Sequence, residues 1–489
     1  MSDAGLPSDS PNNALPKGDG IRHGRLRRSA PLVGLTARTA GEAVVVGLRS
    51  KLTGADNSEF HVRTAERYAE LLGRSKGALM KAGQMLSFVS VGPAVPSEFQ
   101  SIYQAALTRL RNDAPPMAGE LARATLEREL GQRTESAFAE FDWEPLAAAS
   151  IGQVHAARLH DGRAVAVKVQ YPGAAEAIGA DLKNTELLAT FLSLIIGGLS
   201  PRKLSFDFRG AAREMSVRIT EELDYRLEAA NQAEFADIYR GHPFIHVPEV
   251  IDELCTDRVL TQELVRGKSW SDALTAGQEL RDQWAEAIHR FVYGSYGRFC
   301  LFNADPQPGN YLFHEDGSVS FLDFGCVTRF RREQVEMMDS IVRACLRHDV
   351  LGTWRASVEA GFWRSSDPVT PEEVFAFWRE DWAMLWAEKR VVVTPEYVAR
   401  RIERRFSPDG LSASAFRHIT VPPEYTMIGR MEIGVASLIA QLHASNNWGS
   451  IAAERFGHVP SLTAMGRLDH AFFADRLAAS TMLDGVYEA

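Results

Sequence analysis

Several things are scarce in this 489-residue chain, and each scarcity removes a class of protein. It has only four cysteines, Cys255, Cys300, Cys326 and Cys345, with no C-x-x-C pair and no Cys/His spacing of a zinc site. A disulfide scaffold and a zinc module are therefore excluded, and the four read as reduced, buried thiols. No run reaches the roughly 18 apolar residues that span a bilayer; the best candidate, Phe191 to Leu199, is too short. Basic charge is not in excess either: 54 Lys and Arg stand against 63 Asp and Glu, a net charge of −9. That argues against a nucleic-acid partner, which calls for a basic surface. The first twenty residues lack the apolar core of a signal peptide, and Asp3, Asp9 and Asp19 argue against an acid-poor presequence. Cytoplasmic residence is the expectation, with peripheral membrane contact left open.

What is present is ordinary globular material, 45% hydrophobic and 24% charged, long enough to bury a large core. Residues 1–20 are rich in Ser, Pro, Asn, Gly and Asp and are expected to be disordered. A basic cluster follows, Arg22, His23, Arg25, Arg27 and Arg28. It reads as a solvated turn before a core helix, or as a surface for anionic lipid. Residues 21–140 read as a helical extension: Tyr68, Leu71, Leu72, Leu79 and Met80 recur at helical spacing, and a later helix over 117–130 stops at Gly131.

The pattern changes over residues 141–266. Arg163–Val169 alternates and is β-branched, the signature of a strand, and 257–264 reads as another. Between them, 174–240 reads as helix, and Ala147–His155 as a loop between strands. Residues 267–489 are mostly helical, with a long helix over 278–299, a loop over Asn303–Asn310, strands at Tyr311–Phe313 and Val319–Leu322, and helix from 331 onward. A small β-rich lobe followed by a helical lobe is an α+β, two-lobed kinase-like layout with a helical N-terminal extension.

The chemistry sits in three places. ATP with its metal needs a cation for the phosphates, hard oxygen ligands for Mg²⁺ and a carboxylate near the incoming hydroxyl. Lys168, on the strand Val165-Ala166-Val167-Lys168, supplies the cation. Asp305 and Asn310, in Asp305-Pro306-Gln307-Pro308-Gly309-Asn310, have the D-x-x-x-x-N spacing of a kinase catalytic loop. Asp305 would orient or deprotonate the nucleophile, and Asn310 would bind metal. Phe321-Leu322-Asp323-Phe324-Gly325 is a strand running into D-F-G, 13 residues after Asn310, with Asp323 as the second metal ligand. Lys168 needs an acidic partner, and the stretch 221–229 offers Glu222, Asp224 and Glu228, of which Asp224 and Glu228 are four apart and would share a helix face.

The glycine-rich loop G-x-G-x-x-G is missing, and Ala147-Ala148-Ala149-Ser150-Ile151-Gly152 stands in its place. This alanine-rich loop resembles that of the UbiB family of AarF-domain-containing atypical kinases. Lys81-Ala82-Gly83-Gln84 resembles the family's K-x-G-Q motif, Glu222-Leu223-Asp224 its E-x-D motif, and Asn303–Asn310 its H-A-D-P-H-P-G-N loop with Asn303 and Gln307 in place of histidines. The likeness runs over roughly 60–445 and is nearest to the coenzyme Q kinase-like branch, through the hinge segment Gly241–Gly267 and Val421–Tyr425.

The resemblance implies that Glu228 pairs with Lys168. It implies that Ala147, Ala148, Ala149, Ser150, Glu263 and Val265 contact the nucleotide, and that Lys81 and Gln84 fold over the site near Glu222 and Asp224 as a regulatory cover. It further implies ATP and Mg²⁺ as cofactors and an ATPase or small-molecule kinase activity. The setting it implies is ubiquinone biosynthesis, beside an anionic membrane surface or quinone-biosynthesis enzymes. A nucleotide-dependent lipid- or enzyme-binding scaffold with little turnover is the alternative. A conventional protein kinase is disfavoured because no H-R-D precedes Asp305 and no A-P-E follows the D-F-G. Glycine frees a backbone that alanine restrains, so Ala149→Gly is expected to change nucleotide preference or raise autophosphorylation; equal behaviour of the two proteins in both assays would remove the loop's regulatory role.

Overall fold

The computed structural model describes residues 117–149, 151–182, 219–387, 389–405, 410–456 and 460–487, with a few isolated residues between 62 and 217. The basic cluster at 22–28, Lys81, Gln84 and Ser150 lie outside these.

The smaller lobe is a five-stranded antiparallel sheet backed by a helix, α1 (Gly119–Leu130). Gly131 ends α1 in the left-handed region, φ 66°, where glycine carries no Cβ penalty. The strands are β1 (Glu140–Phe141), β2 (Ala147–Ala148), β3 (Gly152–Arg158), β4 (Ala164–Gln170) and β6 (Val259–Glu263), in the order β1-β3-β4-β6 with β2 also on β3. Residues 147–155 are thus not a loop but a tight hairpin, closed by Ala149 N–H donating to the Gly152 carbonyl at 2.8 Å. Strand periodicity of two explains β4. Val165, Val167 and Val169, at most 1% exposed, face the core with Ala122 and Leu126 of α1. Lys168, one residue out of phase, is on the opposite face.

The segment read as continuous helix over 174–240 is interrupted. A helix α2 (Ala174–Leu182) is followed, beyond undescribed residues, by a turn at Glu222–Asp224 and then α3 (Tyr225–Tyr239). Asp224 caps α3, its carboxylate accepting from Leu227 N–H at 3.1 Å. It is an exposed cap and not a helical residue, so it does not share a face with Glu228. Burial then recurs at Tyr225, Glu228, Gln232, Phe235 and Tyr239, a helical stripe against the core.

The larger lobe is built on α4 (Gln278–Phe299), whose Trp284, Ile288, Phe291 and Val292 are at most 2% exposed. Short strands lie on it: β5 (Ile245–His246), β8 (Tyr311–Phe313) and β9 (Val319–Phe321) form one sheet, and β7 (Leu301–Asn303) pairs with β10 (Val327–Arg329). Phe291 stacks on Phe321 with ring centroids 3.8 Å apart. Further out are α5 (Arg332–Leu346), α6 (Val350–Glu359), α7 (Pro371–Asp381), α8 (Pro395–Arg405), α9 (Thr426–Gln441), α10 (Trp448–Glu454) and α11 (Ala464–Tyr487). This helical region also contains a two-stranded pair, Val391–Val392 with Ser445–Asn446. The α+β class with helices dominating the second lobe is as expected.

Gly152 stands where β3 passes β4 and α3: a Cβ there would collide with the Val169 carbonyl oxygen and touch the Tyr225 hydroxyl. Gly152→Ala is expected to cost about 1–3 kcal/mol as overpacking, measured by urea unfolding.

Candidate nucleotide site

Three elements converge at the end of the small sheet. Lys168 on β4 sends its Nζ to both oxygens of Glu228 on α3, at 2.8 and 2.9 Å, and to Asp323 Oδ2 at 3.3 Å. Glu228 is 2% exposed, and the Lys168 ammonium also lies 4.8 Å from the Tyr225 ring centroid. Burial works against the Lys168 charge, but the carboxylates of Asp323 and Glu228 outweigh it and hold the ammonium well above its ordinary pKa. Burial pushes the Glu228 carboxyl up to about 7, with Asp323 adding to the rise and Lys168 opposing it. The first shift favours a charged pair and the second a neutral acid. The geometry decides for the charged pair, because both Glu228 oxygens accept from the ammonium. A cation at Asp323 would also remove one source of the rise.

The second cluster is the loop after β7. The Asn310 side-chain amide donates to Asp305 Oδ2 at 3.0 Å and to the Asp305 carbonyl at 3.2 Å, which leaves its own carbonyl oxygen as the atom able to ligate. Tyr311 pairs with Phe321, and Leu322 N–H donates to the Asn310 carbonyl at 3.0 Å. The hairpin therefore sets Asn310 beside Asp323. Phe324 is fully buried, 5.0 Å from Phe235 of α3, and Asn231 of α3 donates to the Phe324 carbonyl at 3.0 Å. Gly325 N–H donates to Asp323 Oδ1 at 3.0 Å.

Lys168, Glu228, Asp305, Asn310 and Asp323 are thus drawn into two joined clusters. Glu222 belongs with them: the Cβ position of Gly325 is 3.6 Å from Glu222 Cγ and 3.7 Å from Glu228 Oε2. Asp224 is at the helix cap instead. Ala147 and Ala148 form the first strand of the hairpin and Ala149 begins its turn; the far strand places Gly152 opposite Gln170, two residues past Lys168. Glu263 ends β6 opposite Val165, but its carboxylate faces away onto His246 Nε2 at 3.3 Å, so only its main chain is suited to a nucleotide. The Val265 N–H makes no main-chain hydrogen bond among the described residues.

Two further residues, Asn303 and Gly434, hold the loop in place. Asn303 accepts from Asp305 N–H at 3.3 Å and donates to the Asp323 carbonyl at 2.8 Å, tying the two clusters together. In the sequence it is marked only by its place in the loop, two residues before Asp305, where the resembled motif has histidine. Gly434 on α9 lies against Pro306 of the loop, where a Cβ would collide with the Pro306 ring; nothing in the sequence near Gly434 signals this.

The donors suit Mg²⁺ bound with phosphate. Among the described residues no group of three or more His, Cys, Asp or Glu could hold a metal alone. Asn310 and Asp323 would supply hard oxygens and leave the remaining positions to phosphate oxygens and water, as Mg²⁺ favours.

The ABC1 atypical kinase-like domain matches residues 109–356 of this chain. The mitochondrial atypical kinase coq-8 of Caenorhabditis elegans is 33% identical over 346 residues, covering 68% of this chain and 43% of its own length. The mitochondrial atypical kinase COQ8 of Saccharomyces cerevisiae is 30% identical over 298 residues, with 61% and 57% covered. The chain thus spans about half the length of these curated relatives. A solved Mycobacterium tuberculosis protein in complex with erythromycin aligns with a TM-score of 0.57 at 29% identity, over 85% of this chain and 98% of that one.

Asn303→Ala removes both hydrogen bonds that join Asp305 to Asp323. It is expected to cost about 1–3 kcal/mol of stability and to lower nucleotide turnover more than nucleotide affinity, read from denaturation curves and steady-state kinetics.

Proposed function

The chain belongs to the ABC1 atypical kinase-like family, and on that premise we propose that it binds Mg–ATP between its lobes and either hydrolyses it or phosphorylates a small acceptor. The observation that carries this reading is the meeting of Lys168, Glu228 and Asp323 within 3.3 Å. In the proposal Lys168 holds the α- and β-phosphates and Glu228 holds Lys168. Asn310 and Asp323 are the metal ligands. Mg²⁺, when bound, offsets the negative charge of the phosphates. The main chain of Glu263 and Val265 contacts the base, and Ala147–Ser150 cover the phosphates. Asp305 accepts the proton of the attacking water or hydroxyl while the γ-phosphoryl group passes to that oxygen and ADP departs. Lys81 and Gln84, with Glu222 and Asp224, are the proposed regulatory cover.

The biological setting we propose is isoprenoid quinone (ubiquinone) biosynthesis at a membrane surface. The relatives' names, which describe mitochondrial atypical kinases, support the kinase part of this reading. No helix among the described residues is long and apolar enough to cross a membrane, and the contact proposed is with an anionic surface. The K-x-G-Q segment Lys81–Gln84 favours a second reading, a nucleotide-dependent scaffold with little turnover.

Mg²⁺-dependent ATP hydrolysis, with and without anionic liposomes, separates the two. For the enzyme, turnover rises with liposomes and falls roughly 100-fold or more in Asp305→Asn. For the scaffold, nucleotide binds but turnover is insensitive to Asp305→Asn. Asp323→Asn is expected to abolish the Mg²⁺-dependent part of nucleotide affinity; unchanged affinity with Mg²⁺ present would remove the metal assignment.

A further inference from the structure

Hydrogen bonds reach both carboxylate oxygens of Asp323. Lys168 Nζ donates to Oδ2 at 3.3 Å, and Gly325 N–H donates to Oδ1 at 3.0 Å. The first donor is held by Glu228 of α3. The second belongs to the Phe324–Gly325 peptide unit, whose other end is the Phe324 carbonyl. That carbonyl accepts from the Asn231 side-chain amide at 3.0 Å. A peptide unit is planar and rigid, so fixing its carbonyl oxygen also fixes the direction of its N–H. Asn231 therefore acts on Asp323 Oδ1 through one rigid plate.

Asn231 is on the same helix as Glu228, three residues later, and is 2% exposed. Residues three apart are neighbours on one helix face. The Asn231 amide fits only one way round. Arg329 of β10 donates to Asn231 Oδ1 at 2.9 Å, and a guanidinium has no acceptor. The amide nitrogen is left for the Phe324 carbonyl, which can only accept. Arg329 also pairs with Glu234, three residues further along α3. A buried amide costs free energy unless it is paired, so a residue that served packing alone would be better apolar at this position.

We propose that Asn231 is a positioning residue for Asp323. It orients the peptide whose N–H holds Asp323 Oδ1, while Glu228, one turn earlier on α3, acts through Lys168 on Oδ2. One helix thus sets the direction in which the Asp323 carboxylate faces a metal. This rests on the reading of Asp323 as a Mg²⁺ ligand.

The test is a binding measurement on the whole chain. Affinity for a fluorescent ATP analogue is read in EDTA and across a Mg²⁺ titration. Asn231→Leu keeps roughly the volume and removes the donor. It is expected to raise the half-saturating Mg²⁺ concentration about tenfold, the equivalent of one net hydrogen bond, with affinity in EDTA unchanged. Glu234→Gln, which weakens the exposed pair with Arg329 and keeps the amide contact, is expected to leave the Mg²⁺ titration as it is. An unchanged Mg²⁺ requirement in Asn231→Leu would overturn the proposal. So would equal losses of affinity in EDTA and in Mg²⁺, which mean a packing role only. If Asn231→Leu does not fold, Asn231→Ala decides by the same two readings. Nucleotide affinity independent of Mg²⁺ in the unaltered chain would instead remove the metal assignment of Asp323, and this proposal with it.

Discussion

A carboxylate at 2% exposure is unfavourable in a protein interior unless something of opposite charge reaches it. In this chain that something is the Lys168 ammonium, within 2.9 Å of both Glu228 oxygens. Removing either partner of such a pair typically costs 3–5 kcal/mol, because the other charge stays buried. The rest of the smaller lobe is arranged to let the two meet. The alternation of β4 sends Val165, Val167 and Val169 into the core and Lys168 the other way. The Asp224 cap starts α3 one turn before Glu228 and so aims it. Gly152 keeps β3 clear of Tyr225, whose ring lies beneath the ammonium.

The loop that carries Asp305 hangs on a different interaction. Asn303 stands where the related family often carries histidine, yet it satisfies both sides. Its carbonyl oxygen accepts from Asp305 N–H and its amide donates to the Asp323 carbonyl. A side-chain amide has a donor and an acceptor fixed on one plane, which suffices to couple the loop to the D-F-G segment. From behind, Gly434 of α9 lets the helix sit directly on Pro306. The position of Asp305 is therefore set from both the sheet side and the helical side.

Much of this site was legible as a linear pattern. Lys168, the D-x-x-x-x-N loop and the D-F-G each carry their own spacing, and their order along the chain carries the lobe arrangement. The strands β5, β7 and β10 were not legible, because each exists through pairing with a partner distant in the chain, β5 with β9 and β7 with β10. Ala147–His155 reads as a loop because its alanines have little strand preference, and the pairing of β2 and β3 overrides it. Asp224 reads as helical because four-residue spacing cannot distinguish a cap from a turn of helix.

The sequence by itself determined the fold class and the family, since these follow from residue type, spacing and order. Only the tertiary structure decided that Asp323 joins Glu228 on the Lys168 ammonium, that Asp224 caps α3 and that the Glu263 carboxylate turns away to His246. The physical reason is one of range. Local spacing sets which face of a strand or helix a side chain occupies, whereas pairing and enclosure depend on residues 60 to 155 positions apart, as Glu228 and Asp323 are from Lys168.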